Sequence, residues 1–212
     1  MSNILRNMKV LLHICCAPCS AYPIEALTDE NFSISGFWYN PNIHPYLEYK
    51  KRLFEVRRFL KILKIPLIER DVYALVPFLK KILNRQKGIH RCDVCYELRL
   101  RETARIAAEN GFDAFTTTML YSKHLRHNAI RQIGENISRE SGIKFLYRDF
   151  RTGWSRGLKL SRKYKLYRQQ YCGCVISEFE RFHRTADKVL EHFEWVPRRK
   201  EIAEDQSKNS HK

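Results

Sequence analysis

Lys9-Val10-Leu11-Leu12-His13-Ile14, running straight into Cys15-Cys16-Ala17-Pro18-Cys19, decides how this chain is read. The first part is a short apolar run rich in strand formers and predicts a buried strand. Outward from it, strand and helix signals alternate. Helices are predicted over 20–27, 45–63, 73–83, 94–109, 127–139, 158–171 and 177–184, and strands over 32–39, 66–70, 114–119 and 143–150. The helix over 45–63 has the plainest pattern: Leu47, Leu53, Val56, Leu60 and Leu63 recur at helical spacing, with Lys and Arg on the other face. Gly111 and Gly142 stand where helices stop. Such alternation predicts an α/β fold, a single doubly wound parallel-sheet domain over 1–196 with a helical C-terminal part. From 197 to 212 the chain is polar and charged, and reads as a mobile tail. In a doubly wound sheet the ligand site lies beyond the carboxyl ends of the strands, at a switch in strand order. The Cys15–Cys19 group, directly after the first strand, occupies such a place.

Composition narrows the function. The chain is 44% hydrophobic and 29% charged, as ordinary folded domains are. Lys and Arg outnumber Asp and Glu by 39 to 23, a net charge of +16. An excess of that size favours polyanionic partners, because counterion release drives Lys and Arg onto phosphate backbones. A basic enzyme without a nucleic-acid partner is the plainer alternative. No basic amphipathic helix stands apart from the core pattern, which argues against a membrane-surface role. The longest apolar run, over 10–16, is far short of the roughly 18–20 residues of a membrane span. Residues 1–8 lack the apolar stretch of a secretory signal. A cytoplasmic protein with no membrane partner is expected.

The seven cysteines fall into three tight groups: Cys15-Cys16-Ala17-Pro18-Cys19, Cys92-Asp93-Val94-Cys95 and Cys172-Gly173-Cys174. Buried structural cysteines would scatter among apolar positions, and an odd number does not make a closed disulfide framework. A metal or redox centre is the better reading. Cys92 and Cys95 sit one helical turn apart, a chelating spacing that also suits half a zinc knuckle or a redox dithiol. The glycine of Cys172-Gly173-Cys174 lets the backbone bend so that two sulfurs share a metal or close into a reducible disulfide. Four thiolates complete a structural zinc site or a [4Fe–4S] cluster. Either leaves three thiols, enough for a second metal with an open position or a redox-active pair.

In order along the chain stand His13-Ile-Cys15-Cys16-Ala-Pro-Cys19, Tyr39-Asn-Pro-Asn42, Arg91-Cys92-Asp-Val-Cys95, Thr116-Thr-Thr118 and Leu166-Tyr-Arg-Gln-Gln-Tyr-Cys-Gly-Cys174. Phe150-Arg151 and Leu160-Ser161-Arg162 precede the last of these. The pattern resembles the cobalamin-independent epoxyqueuosine reductase family over residues 10–182. The resemblance implies a Rossmann-like fold of the adenine-nucleotide α-hydrolase type that carries an iron–sulfur centre. It further implies loss of the epoxide oxygen of epoxyqueuosine at the wobble position of tRNA, a two-electron reduction giving queuosine. On this reading Cys15, Cys16, Cys92 and Cys95 hold a [4Fe–4S] cluster, since a strand end and a helix start can meet above one sheet edge. Cys172 and Cys174 then act as a redox-active pair, or join Cys19 as ligands of a second metal ion, iron or zinc. The partners are tRNA carrying epoxyqueuosine and an electron donor that the sequence does not identify.

Other residues carry weaker expectations. His13 reads as a packed strand residue. His124 and His127 read as solvated surface histidines, with protonation of the departing oxygen as their sharper role. Tyr39, Asn40 and Asn42 are candidates to stack on or hydrogen-bond an extruded base, although Asn-Pro-Asn is also simply a good turn. Arg148, Arg151, Arg156, Arg162 and Arg168 form a basic series suited to phosphates, with Arg162 and Arg168 carried as candidate substrate contacts. Asp93 reads as a helix cap or as support for the cysteines beside it. Two other classes remain. An ATP-using tRNA sulfur-transfer enzyme needs a glycine-rich phosphate loop after the first strand, where this chain has Cys-Cys-Ala-Pro-Cys. A zinc-stabilised RNA-binding module would be colourless.

Overall fold

Strand β1 (Lys9–His13) is buried on both faces, Val10, Leu11 and Leu12 being wholly inaccessible, which is why its sequence runs apolar instead of alternating. It lies at the centre of the sheet in the computed structural model, which describes residues 8–190 without the side chains of 184 and 186–190. Around it the chain forms α1 (Ala17–Asp29), β2 (Ser33–Trp38), α2 (Tyr46–Leu63), β3 (Leu67–Glu69), α3 (Leu75–Leu83) and α4 (Arg91–Glu109). There follow β4 (Ala114–Thr117), α5 (His127–Ser141), β5 (Lys144–Phe145), α6 (Trp154–Lys163) and α7 (Val175–Leu190). Short 3-10 turns cover Thr118–Tyr121 and Phe150–Gly153.

The five strands lie in the order β3-β2-β1-β4-β5, every neighbouring pair parallel. This is the predicted doubly wound α/β sheet. The chain moves outward from β1 to β3, then crosses back to β4 on the other side of β1. The switch in strand order therefore lies between β1 and β4, where His13 is paired with Thr117. The loops that leave those two strand ends open onto one crevice.

Several boundaries differ from the sequence prediction, each for a local reason. Helix α1 starts at Ala17, not 20, because Cys16 caps it in extended backbone and Pro18 fits the first turn, where its missing N–H is no loss. Helix α4 starts at Arg91, with His90 as the cap and its Nδ1 accepting from the Cys92 N–H at 3.1 Å. Strand β5 covers two residues and not 143–150, because Asp149 accepts from the Arg151 N–H and turns the chain. The helix expected over 158–171 is instead α6 at 154–163, and Lys165, in left-handed backbone, leads into an irregular stretch. Gly157 lets α6 lie against Tyr121, whose hydroxyl a Cβ there would strike. The last helix is longer than predicted, and the chain divides after Cys174, with α7 belonging to a second unit. The tail expected from 197 lies outside the described residues.

Candidate metal centre

At the end of β1 the chain turns into α1 and brings three thiols together. The sulfurs of Cys15, Cys16 and Cys19 all lie within 4.8 Å of one another, with Cys15 and Cys16 3.9 Å apart. Thr118, just past β4, ties the two strand ends together: its Oγ1 accepts from the Cys15 N–H at 3.2 Å and lies 3.3 Å from the Cys15 sulfur. Hydrogen bonding with Cys16 and Cys19 holds the Cys15 thiol well below its ordinary range. Cys16 is pushed up by burial and by its bond to Cys15, and Cys19 by its bonds to Cys15 and Cys16. Thiolates bound to one tetrahedral ion at about 2.3 Å stand about 3.8 Å apart, and the Cys15–Cys16 spacing is close to that edge.

The second group lies on α4. Cys92 is in its first turn, Cys95 one turn on, and Arg99 one turn further on the same face. The Arg99 guanidinium donates from Nε to the Cys95 carbonyl at 3.1 Å and from Nη2 to the Cys95 sulfur at 3.2 Å. Burial pushes the Cys95 thiol up to about 11, against the pull of Arg99.

The third group arrives on the irregular stretch after α6, which runs along α2 like a strap. Arg58 donates to the Tyr164 carbonyl at 3.0 Å, and the Tyr167 hydroxyl to Glu48 at 2.7 Å. The buried Arg52 donates to the carbonyls of Tyr171 at 3.0 Å and Cys172 at 2.8 Å, and is itself paired with Glu48. Gln169 reaches across to the first group, its Nε2 lying 2.9 Å from the Cys16 sulfur and 3.6 Å from that of Cys19. Cys172 is exposed and Cys174 half-buried. Both act electrostatically on Cys95 or on the Arg99 beside it, as Cys15 does. The three cysteine groups therefore lie within electrostatic reach of one another, near the switch between β1 and β4. Among the described residues, Cys15, Cys16 and Cys19 are the one set of three ligand-type groups within 4.8 Å; Cys92 and Cys95 do not join it at that spacing.

His13 is a neutral core residue, in keeping with its position in the strand. Its Nε2 donates to the Tyr39 carbonyl at 3.2 Å, leaving Nδ1 to accept from Thr117 at 3.0 Å. Burial, with Arg99 nearby, pushes its pKa down to about 4. Tyr39 stacks on Phe37 with Arg70 over its ring, and lines an open cleft of about 270 Å³ whose walls hold no cysteine. Asn40 and Asn42 are buried, and Asn40 Nδ2 donates to the Ile14 carbonyl at 2.9 Å, fastening the turn to the end of β1. Asp93 pairs with Arg126. His127, read from sequence as a solvated histidine, is buried at the start of α5 with Nε2 3.1 Å from the Tyr147 hydroxyl; His124 meets the edge of Trp154.

The basic series is mixed. Arg148, Arg151 and Arg156 are engaged by Glu30, Asp149 and Glu25. Arg162 and Arg168 are exposed, and Arg168 directly precedes Gln169, whose amide reaches the first cysteine group. Sequence reasoning gave no role to Arg99, Arg52, Thr118 or Gln169. A signal for Arg99 existed, since it follows Cys95 by four residues on one helical face.

The family model described as epoxyqueuosine reductase QueH matches residues 10–180. A QueH from Dehalococcoides mccartyi is 38% identical over 174 residues, covering 82% of this chain and 94% of the relative. One from Thermotoga maritima is 34% identical over 185 residues, covering 84% and 94%. Among solved structures, the U34-tRNA thiolase NcsA from Methanococcus maripaludis, described with its [4Fe-4S] cluster, shares the fold with a TM-score of 0.54 at 16% identity, covering 92% of this chain and 76% of that one. A predicted tRNA methyltransferase subunit from Methanocaldococcus jannaschii gives 0.50 at 12% identity, covering 73% and 74%. With its ordered cysteine groups converging at the switch point and the family match running along most of its length, the chain belongs to the epoxyqueuosine reductase QueH family.

Proposed function

We propose that this epoxyqueuosine reductase works through a cysteine-held iron–sulfur centre in the crevice between β1 and β4. The single observation that carries the reading is the convergence of all three cysteine groups there. The substrate is tRNA carrying epoxyqueuosine at the wobble position, and the setting is cytoplasmic. The overall reaction takes an epoxide, two electrons and two protons to an alkene and water, so an external electron donor is required. A bound [4Fe–4S] cluster supplies electrons one at a time.

The chain's own residues hold that chemistry in place. Arg52, paired with Glu48, fixes the carbonyls of Tyr171 and Cys172 and so sets the direction of the Cys172-Gly173-Cys174 turn. Gln169 fixes the position of the Cys16 and Cys19 sulfurs. Cys172 is exposed as a residue, while burial around its sulfur pushes the thiol up to about 12. A glycine-rich phosphate loop has no room in this crevice, since the place after β1 is taken by the thiols and Pro18.

In the first partition Cys15, Cys16, Cys92 and Cys95 hold the cluster, while Cys172 and Cys174 form a redox pair or bind a second ion with Cys19. The close packing of Cys15, Cys16 and Cys19 favours a second partition, in which these three hold one ion and Cys92, Cys95, Cys172 and Cys174 hold the cluster. Anaerobic purification with iron and sulfide counting on Cys16→Ala and Cys174→Ala separates them. The first partition expects Cys16→Ala to lose the four-iron cluster and Cys174→Ala to keep it; the second expects the reverse. A colourless parent protein that binds zinc and no iron after reconstitution defeats both.

A further inference from the structure

Two guanidinium groups are buried beside the cysteines, and they differ in one respect. Arg52 is 1% exposed and has Glu48 as its counter-ion. Arg99 is 2% exposed, and among the described residues it has no carboxylate ion pair. Its polar contacts are the carbonyl and the sulfur of Cys95, with the Tyr96 ring alongside. A guanidinium cannot shed its proton to escape burial. Its charge must be met where it stands, or the fold bears the full cost of an isolated buried ion.

The groups that meet it are sulfurs. The Cys95 sulfur lies 3.2 Å from Arg99 Nη2, and Cys172 and Cys15 are also among the groups whose charge acts on it. These three come one from each cysteine group, so Arg99 is the cation that the whole constellation shares. As thiols they are neutral and give it little; as metal-bound thiolates they supply the missing negative charge. The reciprocal effect falls on the centre. Reduction adds negative charge to a thiolate-bound cluster, and a fixed, dry cation beside it stabilises the reduced form.

We propose that Arg99 is a positioning residue that sets the reduction potential of the centre, raising it by holding against the Cys95 sulfur one positive charge that no carboxylate neutralises. The inference rests on the proposed binding of iron by these cysteines. It assigns Arg99 no contact with the substrate. Its placement on α4, four residues after Cys95, fixes the distance between charge and sulfur by the pitch of the helix.

The test uses the full chain, purified and reconstituted without oxygen, as Arg99→Gln, Arg99→Lys and the parent. Iron content and the midpoint potential from a spectroscopic redox titration are read for each. Arg99→Gln is expected to keep its iron and to shift the one-electron equilibrium at least tenfold toward the oxidised form, about 59 mV lower. Arg99→Lys, which keeps the charge, is expected to stay near the parent. Full iron with an unmoved potential in Arg99→Gln overturns the proposal. If Arg99→Gln does not fold or load, Arg99→Lys decides: a loaded protein with the parent's potential supports the charge, and failure of both variants overturns it. A parent that binds no iron removes the metal reading itself, a failure distinct from an iron-loaded parent whose potential ignores Arg99.

Discussion

Gly173 separates two of the seven thiols, and its backbone stands at φ +153, where side chains are rarely tolerated. A Cβ there would lie 3.2 Å from Asn42 Nδ2 and from Ile43 Cγ1, and 3.4 Å from Arg52 Nη1. None of these neighbours is the loose end of a surface chain: Asn42, Ile43 and Arg52 are all buried. The Gly173 carbonyl also accepts from the His44 N–H at 2.7 Å, so the turn is held from both sides. Gly173→Ala is therefore expected to destabilise the protein by about 1–3 kcal/mol through backbone strain alone. Urea unfolding of the metal-free variant under reducing conditions measures this without interference from bound iron. A midpoint and slope equal to the parent's would show that the turn adapts, and that the glycine is not needed for its conformation.

At the scale of elements, the strap after α6 is the part of the site with the least regular structure and the most side-chain fastening. Arg52 makes two of its fastenings and is paired with Glu48, whose carboxylate also accepts from Tyr167. Removing one partner of a buried pair costs about 3–5 kcal/mol when the other is left uncompensated. Arg52→Met should therefore loosen 166–174 well before it loosens the sheet. Hydrogen exchange read by mass spectrometry is expected to show faster exchange in that segment, with β1 and β4 still protected. Equal loss of protection in strap and sheet would make Arg52 a general stabiliser and not the lock of this segment.

The same contrast explains what is legible in the sequence. Strand β1 is legible because burial on both faces leaves an unbroken apolar run. Helix α2 is legible because its Leu53, Val56 and Leu60 face the core at helical spacing. The strap reads as helix because nothing local marks Lys165 as a left-handed residue, and because its order comes from α2. The cysteines announce themselves by grouping. Thr118 and Gln169 do not, since each acquires its role only when sheet order brings β4 beside β1 or the strap beside α1.

For the molecule as a whole, the +16 charge is the property that a tRNA substrate would meet first. Not every arginine is available to it. Arg148 and Arg156 are already engaged by Glu30 and Glu25, whereas Arg162 and Arg168 form no carboxylate ion pair among the described residues. An arginine held by a carboxylate releases few counterions when RNA arrives, because its charge is already neutralised. An open one exchanges its anions for phosphate and contributes nearly a full unit to the salt dependence. The expected slope of log affinity against log salt therefore flattens by about 2 when Arg162 and Arg168 are both changed to Gln. Changing Arg148 and Arg156 to Gln should alter it much less, although the formal charge lost is the same. Binding of tRNA over a range of salt concentrations compares the two pairs directly. Equal flattening in both would mean that net charge alone governs the encounter; no flattening in the first pair would place the tRNA backbone away from Arg162 and Arg168. A selective effect would set the phosphate track near the first cysteine group, since Arg168 directly precedes Gln169, whose amide lies 2.9 Å from the Cys16 sulfur.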